Sequence, residues 1–313
     1  MALITRSRSS GFCFCIDPIE KKALNHFLPG SAVYSPGTAG CSLASPFCQI
    51  RDEKATDADR LTDQGSPTGI AGAARANGCK SVAFAFNDPL VFTEYARDVT
   101  DACHNEGIKT IALTAACLHD APWRAVFAGM DAANVGLKGF SDDFAQVSGG
   151  CLQAVLDTLA YAYHETECWL EITLLLIPGH NDSDAELAAL SAWVVKELGP
   201  DVPLHVSVFE RNGKETRVSP ASSASLKRAR RIALAAGLHY VYTGDPHDVV
   251  GSTTYCPVCQ HAVIERDRHG IDNYDLTPQG CCAKCDAQIA GYFGKLGKPF
   301  REKKNLVFTR LGT

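Results

Sequence analysis

Long apolar runs are missing from this 313-residue chain. The longest stretches of that kind, Leu187–Val195 and Ile172–Ile177, fall far short of a bilayer, which excludes a helical membrane span. An excess of positive charge is missing too. Thirty Lys and Arg against 35 Asp and Glu leave a formal net charge of −5, the wrong sign for a clamp on nucleic-acid phosphates. No GxGxxG follows a predicted strand and there is no Walker-type phosphate loop, so a dinucleotide fold or a nucleoside triphosphatase has nothing to rest on. The segment Met1–Ser10 has two arginines and no apolar core, unlike a secretory signal. No internal repeat or low-complexity tract stands out.

Cysteine, by contrast, is abundant, with 14 residues. In a chain of this length without a leader, we read these thiols as reduced, cytoplasmic and in part metal-ligating. Short β-rich runs alternate with helical patterns. The predicted strands are Val33–Thr38, Ser81–Asn87, Lys109–Ala115, Ala133–Lys138, Leu170–Pro178 and Leu204–Glu210, with a seventh candidate at Tyr240–Thr243. Between them, helical spacing covers Gly69–Asn77, Val91–Glu106, Asp142–Tyr163, Asp184–Leu198 and Ser223–Ala236. This alternation predicts an α/β fold, a partial parallel (βα)6-type TIM-like barrel, with functional groups at the C-terminal ends of the strands. After about Gly251 periodicity stops, and Cys, Gly, Asp and His take over. The expected organisation is an N-terminal tail at 1–16, a barrel over 17–250, a zinc-ribbon module over 251–295 and a tail over 296–313.

Two CxxC pairs lie in that module, Cys256-Pro-Val-Cys259 and Cys282-Ala-Lys-Cys285. Two thiolates at this spacing bind one ion from a tight turn, and two such turns complete a closed tetrahedral site, which predicts structural zinc. Cys281 reads as a bystander. Cys79, Cys103, Cys151 and Cys168, in or beside helical patterns, read as packing residues.

The loop after the first predicted strand carries Gly37-Thr-Ala-Gly-Cys41 and continues to Cys48-Gln49. Further phrases are Asp17-Pro-Ile-Glu-Lys-Lys, His26-Phe-Leu-Pro-Gly, Phe86-Asn-Asp-Pro89, Asn134-Val-Gly-Leu-Lys-Gly-Phe140 and Leu176-Ile-Pro-Gly-His-Asn-Asp182. Pro203-Leu-His-Val-Ser207, Gly237-Leu-His-Tyr-Val-Tyr-Thr-Gly244 and Thr253-Thr-Tyr-Cys-Pro-Val-Cys259 complete the set. In this order the chain resembles the radical S-adenosylmethionine (SAM) component of the AmmeMemoRadiSam system, a relative of glycyl-radical and pyruvate formate-lyase activating enzymes. The resemblance implies a [4Fe–4S] cluster held by a CxxxCxxC motif, here Cys41, Ser45 and Cys48, with serine where the family has its middle cysteine. Cys13, Cys15 and Cys117 are the other thiols that could serve as the third ligand. It implies contacts to SAM from Asn87, Asp88, Lys138 and His205, with Gln49 beside the cluster. Two further positions depart from the family: an Asn-Gly pair is Ala115-Ala116 here, and an Asp is Gly136.

The function implied is reductive cleavage of SAM and hydrogen abstraction from an unknown substrate, in an activase-like cytoplasmic enzyme. A flavodoxin or ferredoxin would supply the electron, and a protein substrate is allowed. No nucleic-acid or membrane partner is expected. The alternative is a degenerate, non-catalytic homologue that keeps the scaffold as a binding or regulatory module. For Asp88, the competing reading is a capped strand-to-helix turn. A satisfied structural polar group competes for Lys138 and His205.

Overall fold

The computed structural model describes residues 13–37, 65–116, 122–141, 152–209, 218–267 and 269–300. One eight-stranded sheet follows chain order from β1 to β8. β1 (Cys13–Pro18) runs antiparallel to β2 (Ala32–Gly37). From β2 onward all pairings are parallel, through β3 (Ser81–Phe84), β4 (Lys109–Thr114), β5 (Ala132–Leu137), β6 (Trp169–Leu176), β7 (Leu204–Val208) and β8 (Val241–Thr243). The parallel part therefore has seven strands, one more than a six-unit barrel. The expected tail boundary at residue 16 falls inside β1.

The crossovers are α1 (Pro67–Ala76), α2 (Thr93–Asn105), α3 (Pro122–Gly129), α4 (Leu152–Glu165), α5 (Asp184–Leu198) and α6 (Ser223–Ala235). Each packs on the next, so they form a row along one face of the sheet. Serine begins three of them: the side chains of Ser66, Ser183 and Ser222 accept the N–H of Gly69, Glu186 and Ser225. Each such cap stabilises its helix by about 1 kcal/mol.

Strand periodicity sorts the side chains. Ala133, Val135 and Leu137 of β5 and Leu170, Ile172, Leu174 and Leu176 of β6 belong to the main core under the helices. Asn134, Glu171 and Thr173, the alternate residues, face the inside. A segment between β1 and β2 covers that inner face at the N-terminal ends of the parallel strands. It starts with a short 3-10 turn, Ile19–Lys22. Its Ile19, Leu24 and Phe27 pack against Val33, Ala83, Ile111 and Ala132, and all three are at most 1% exposed. Burying three such side chains favours the closed floor by about 1.5–3 kcal/mol each.

After β8 come the short α7 (Val249–Ser252) and a three-stranded antiparallel sheet of β9 (Thr254–Tyr255), β10 (Ala262–Asp267) and β11 (Gly270–Tyr274). Its core is not separate from the barrel. Val263, Ile264, Ile271 and Ile289 cluster with Tyr240 and Tyr242 at β8. Residues 296–300, expected as tail, also dock. Leu296 joins the module core, Phe300 packs on the main core, and the Phe300 N–H donates to Gly30 O at 2.8 Å. No described helix is long and apolar enough to cross a membrane.

Candidate functional site

Cys41, Ser45, Cys48 and Gln49 lie outside the described residues, as do Cys117 and Cys151. Gly37, four residues before Cys41 in sequence, ends β2 at the C-terminal edge of the parallel strands. Asn87 and Asp88 follow β3, and Lys138 follows β5, on that same edge. Asn87 is buried. The Asp88 carboxylate accepts the Leu90 N–H at 3.1 Å, the Ala115 N–H at 3.0 Å and the Thr114 hydroxyl at 2.9 Å. It caps the turn Pro89–Phe92 and ties it to the end of β4. The carbonyl of Lys138 accepts from Asn181 Nδ2 at 2.7 Å, and a second Asn181 bond, at 2.8 Å, reaches Leu175 O. A Cβ at Gly136 would stand 3.8 Å from Lys138 Nζ, so the lysine side chain folds back over the residue that lacks a carboxylate.

His205 sits lower. It pairs in register with Thr173 of β6 and Tyr242 of β8, near the start of β7. Its Nε2 lies 2.6 Å from Glu171 Oε2, which also accepts the Asn25 N–H at 3.0 Å. The other oxygen, Oε1, accepts the His26 N–H at 2.8 Å and Trp169 Nε1–H at 3.1 Å. Burial alone would raise the Glu171 carboxyl, but the hydrogen bond and charge of His205 and the donors from the floor hold it below the ordinary carboxylate range. The sequence reading missed Glu171. Its signal was a lone carboxylate at an inward position of an otherwise apolar strand.

A second chain of bonds joins the floor to the C-terminal module. His26 Nδ1 faces Ala290 O at 2.6 Å, and Nε2 faces the Tyr242 hydroxyl at 2.6 Å. A carbonyl can only accept, so Nδ1 carries the proton. Burial holds His26 down to about 4, so the ring is neutral and Nε2 accepts from Tyr242. Tyr242 in turn takes the Thr254 hydroxyl at 2.7 Å, and Thr254 takes Arg266 NH1 at 2.8 Å. Arg266 is 2% exposed. Its other terminal nitrogen donates to Asn25 O at 2.8 Å. Gly291 lets the two segments of this seam meet: a Cβ there would lie 2.5 Å from His26 O, at a φ of +142°.

Along the β7–β8 end of the inner face lies a cavity of about 520 Å³, bounded by His205, Ser207, Tyr242, Glu20, Asn25 and Arg266. The volume is in the range of small-molecule sites. On the opposite edge of the sheet, the Cys15 thiol donates to Asp17 at 3.0 Å. Burial, with the Asp17 carboxylate and against the pull of Lys22, pushes that thiol up to about 12, so it is not a ready thiolate. Cys79, Cys103 and Cys168 are core residues.

The four module cysteines converge. Their sulfurs lie within 4.8 Å of one another, with 3.6 Å between Cys256 and Cys285 and 3.7 Å between Cys259 and Cys282. A tetrahedral ion with metal–sulfur bonds of about 2.3 Å has edges of about 3.8 Å, so the donor set fits such an ion. The two knuckles are the same turn. Cys256 N–H donates to His261 O and Gln260 N–H to Cys256 O, and Cys282 N–H donates to Ala287 O and Asp286 N–H to Cys282 O. Gln260 and Asp286 hold φ of 57° and 59° at the equivalent place. The His261 N–H beside its sulfur holds Cys259 down to about 7. The Cys281 thiol instead donates to Gln288 at 3.3 Å.

The sequence pattern of the family described as Radical SAM superfamily matches residues 35–191. Uncharacterized protein MJ0808 of Methanocaldococcus jannaschii is 32% identical over 269 residues, covering 85% of this chain and 80% of its own length. Among solved structures, a radical SAM methyltransferase from Sphaerobacter thermophilus is similar with a TM-score of 0.54 at 17% identity, over 69% of this chain and 67% of that one. SuiB of Streptococcus suis bound to S-adenosylmethionine gives a TM-score of 0.52 at 16% identity, over 66% of this chain and 48% of that one. At such identities the structural likeness speaks for the fold alone.

Proposed function

Because the chain belongs to the radical SAM superfamily, we propose that it binds a [4Fe–4S] cluster and SAM at the C-terminal edge of its parallel strands and abstracts hydrogen from a substrate. The observation that carries this reading is one of placement. Cys41 and Cys48 follow in sequence on Gly37, which ends β2 on the edge where Asn87 and Lys138 follow β3 and β5. Cys41 and Cys48 would hold the cluster. The third donor in the motif is Ser45, whose hydroxyl is a poor iron ligand beside a thiolate. When bound, the cluster supplies one electron and SAM the hydrogen-abstracting group.

In this reading the chain's own residues position and enclose. Asp88 fixes the β3 turn through its three partners and so sets where Asn87 stands. Asn181 holds the backbone at Lys138. Glu171 and His205 brace the inner wall, and the floor segment keeps water out from below. The finer likeness to the AmmeMemoRadiSam component, an activase-like role, a flavodoxin or ferredoxin donor and a cytoplasmic location belong to the same proposal. So does zinc at Cys256, Cys259, Cys282 and Cys285, whose closed thiolate set suits a structural ion.

Ser45 favours a second reading, a non-catalytic homologue that keeps the scaffold for binding or regulation. Anaerobic reconstitution with iron and sulfide separates the two. About four irons per chain, with methionine and 5′-deoxyadenosine released from SAM under a strong reductant, support the enzyme. Failure to retain iron, with SAM left intact, supports the binding module.

A further inference from the structure

One carboxylate oxygen, Glu171 Oε2, gathers two residues of the 520 Å³ cavity wall. It accepts from His205 Nε2 at 2.6 Å and from the Asn25 N–H at 3.0 Å. Both residues line the cavity. They are 8% and 7% exposed. Their remaining polar ends are open. Among the described residues no hydrogen bond reaches His205 Nδ1 or the side-chain amide of Asn25, and neither group is sealed in the interior. Buried polar groups are matched as a rule. Two open ones that flank the same oxygen and border one cavity mark where a bound molecule completes them.

Both groups are held in place. The other Glu171 oxygen accepts the His26 N–H and Trp169 Nε1–H. The carboxylate therefore meets donors only, and His205 Nε2 carries the proton that faces it. The imidazole is stacked on the Tyr242 ring, with centroids 5.1 Å apart and planes at 27°. The backbone of Asn25 is pinned on its other side by Arg266, which donates to Asn25 O at 2.8 Å. Nδ1 accepts when the His205 ring is neutral and donates when it is charged, and the Asn25 amide does both at once. A hydroxyl also gives and takes, so it matches both groups in either state of the ring. A carboxylate can only accept and an ammonium can only donate. Charges of both signs border the cavity, Lys21 and Arg266 beside Glu20, Asp245 and Asp267, so neither kind of ion is favoured there. We propose that this cavity binds a neutral polyhydroxylated molecule, with its hydroxyls on His205 Nδ1 and on the Asn25 amide. The site does not depend on a cluster, so it is tested on the full chain without one.

The experiment follows the ring nitrogens of His205 by NMR in full-length chain labelled with ¹⁵N-histidine. The probes are ribose, myo-inositol and cis-1,2-cyclohexanediol. The comparisons are the dimethyl ether of that diol, cyclohexylammonium and cyclohexanecarboxylate. The expected result is a saturable shift of Nδ1 with at least one polyol. The ether, which has no O–H to give, should bind at least about tenfold more weakly than the diol. Asn25→Ala removes an amide that bonds nothing within the protein, so it should leave the melting temperature unchanged and weaken the polyol by about fivefold or more. His205→Gln, which keeps a donor for Glu171 and loses Nδ1, should weaken it similarly. No saturable shift with any polyol, an ether that binds as well as the diol, tighter binding of the ammonium or the carboxylate, or an Asn25→Ala variant that binds unchanged would each overturn the proposal. Should His205→Gln not fold, Asn25→Ala decides.

Discussion

His205 Nε2 and Glu171 Oε2 stand 2.6 Å apart on the inner face of the sheet, joining β7 to β6. Glu171 is completely buried and accepts from four donors, His205, Trp169 and the backbone of Asn25 and His26. Glu171→Gln would turn one acceptor oxygen into a donor facing donors. The expected cost is about 3–5 kcal/mol, read as a lower urea midpoint. A loss under about 1 kcal/mol would mean the carboxylate is not the brace described.

His26 sets an acid limit on stability. Folded, burial holds it down to about 4, whereas in an unfolded chain it titrates near its ordinary value of about 6.5. Between those values the unfolded chain binds a proton that the folded one does not. The contribution is fully present above about pH 6.5 and is lost as pH falls toward about 4, on the order of 3 kcal/mol in all. Denaturation midpoints across that window should slope downward toward acid, and His26→Gln should flatten the slope while lowering stability at neutral pH. Glu171, held low, adds a further loss only below the ordinary carboxylate range.

At the twin knuckles, Cys282→Ser should remove bound zinc, about one ion per chain, and lower the melting temperature. Cys281→Ser, one residue away but bonded to Gln288, should leave both unchanged. Metal analysis of the two variants side by side checks the ligand assignment.

Ser45→Cys should raise iron retention after anaerobic reconstitution toward about four per chain, with a matching gain in visible thiolate-to-iron absorbance. If the unmodified chain already holds that much, another donor completes the motif and the catalytic reading gains.

The parallel strands were legible because each is a short apolar run between turn signals. Ser81, Lys109 and Leu204 begin their strands as expected. α3 was not, since it is a single eight-residue stretch, and β1, six residues with a proline at its end, read equally as a short strand or a tail around Cys13 and Cys15. In the site, the paired cysteines were readable from spacing. Asp88 was readable both as a ligand contact and as a cap; it caps through the Leu90 N–H and also bonds Thr114 and Ala115 at the end of β4. Arg266 gave no signal, because a charged residue in Ile264-Glu-Arg-Asp looks like an exposed hairpin until residues far away in sequence bury it. Several phrases that carry the family resemblance turn out to be seam: the Tyr242 hydroxyl bonds both His26 and Thr254.

That seam also imposes an order of assembly. Asn25 waits for Arg266, 241 residues later, and His26 for Ala290, 264 residues later. Contacts at such separations form late and slowly. As the chain leaves the ribosome, the floor under the barrel cannot be locked until the second knuckle has emerged. A chain stopped before residue 254 would carry the floor and its bonds to Glu171 but not the outer bonds of Asn25 to Arg266 and of His26 to Ala290 that fasten the floor from below.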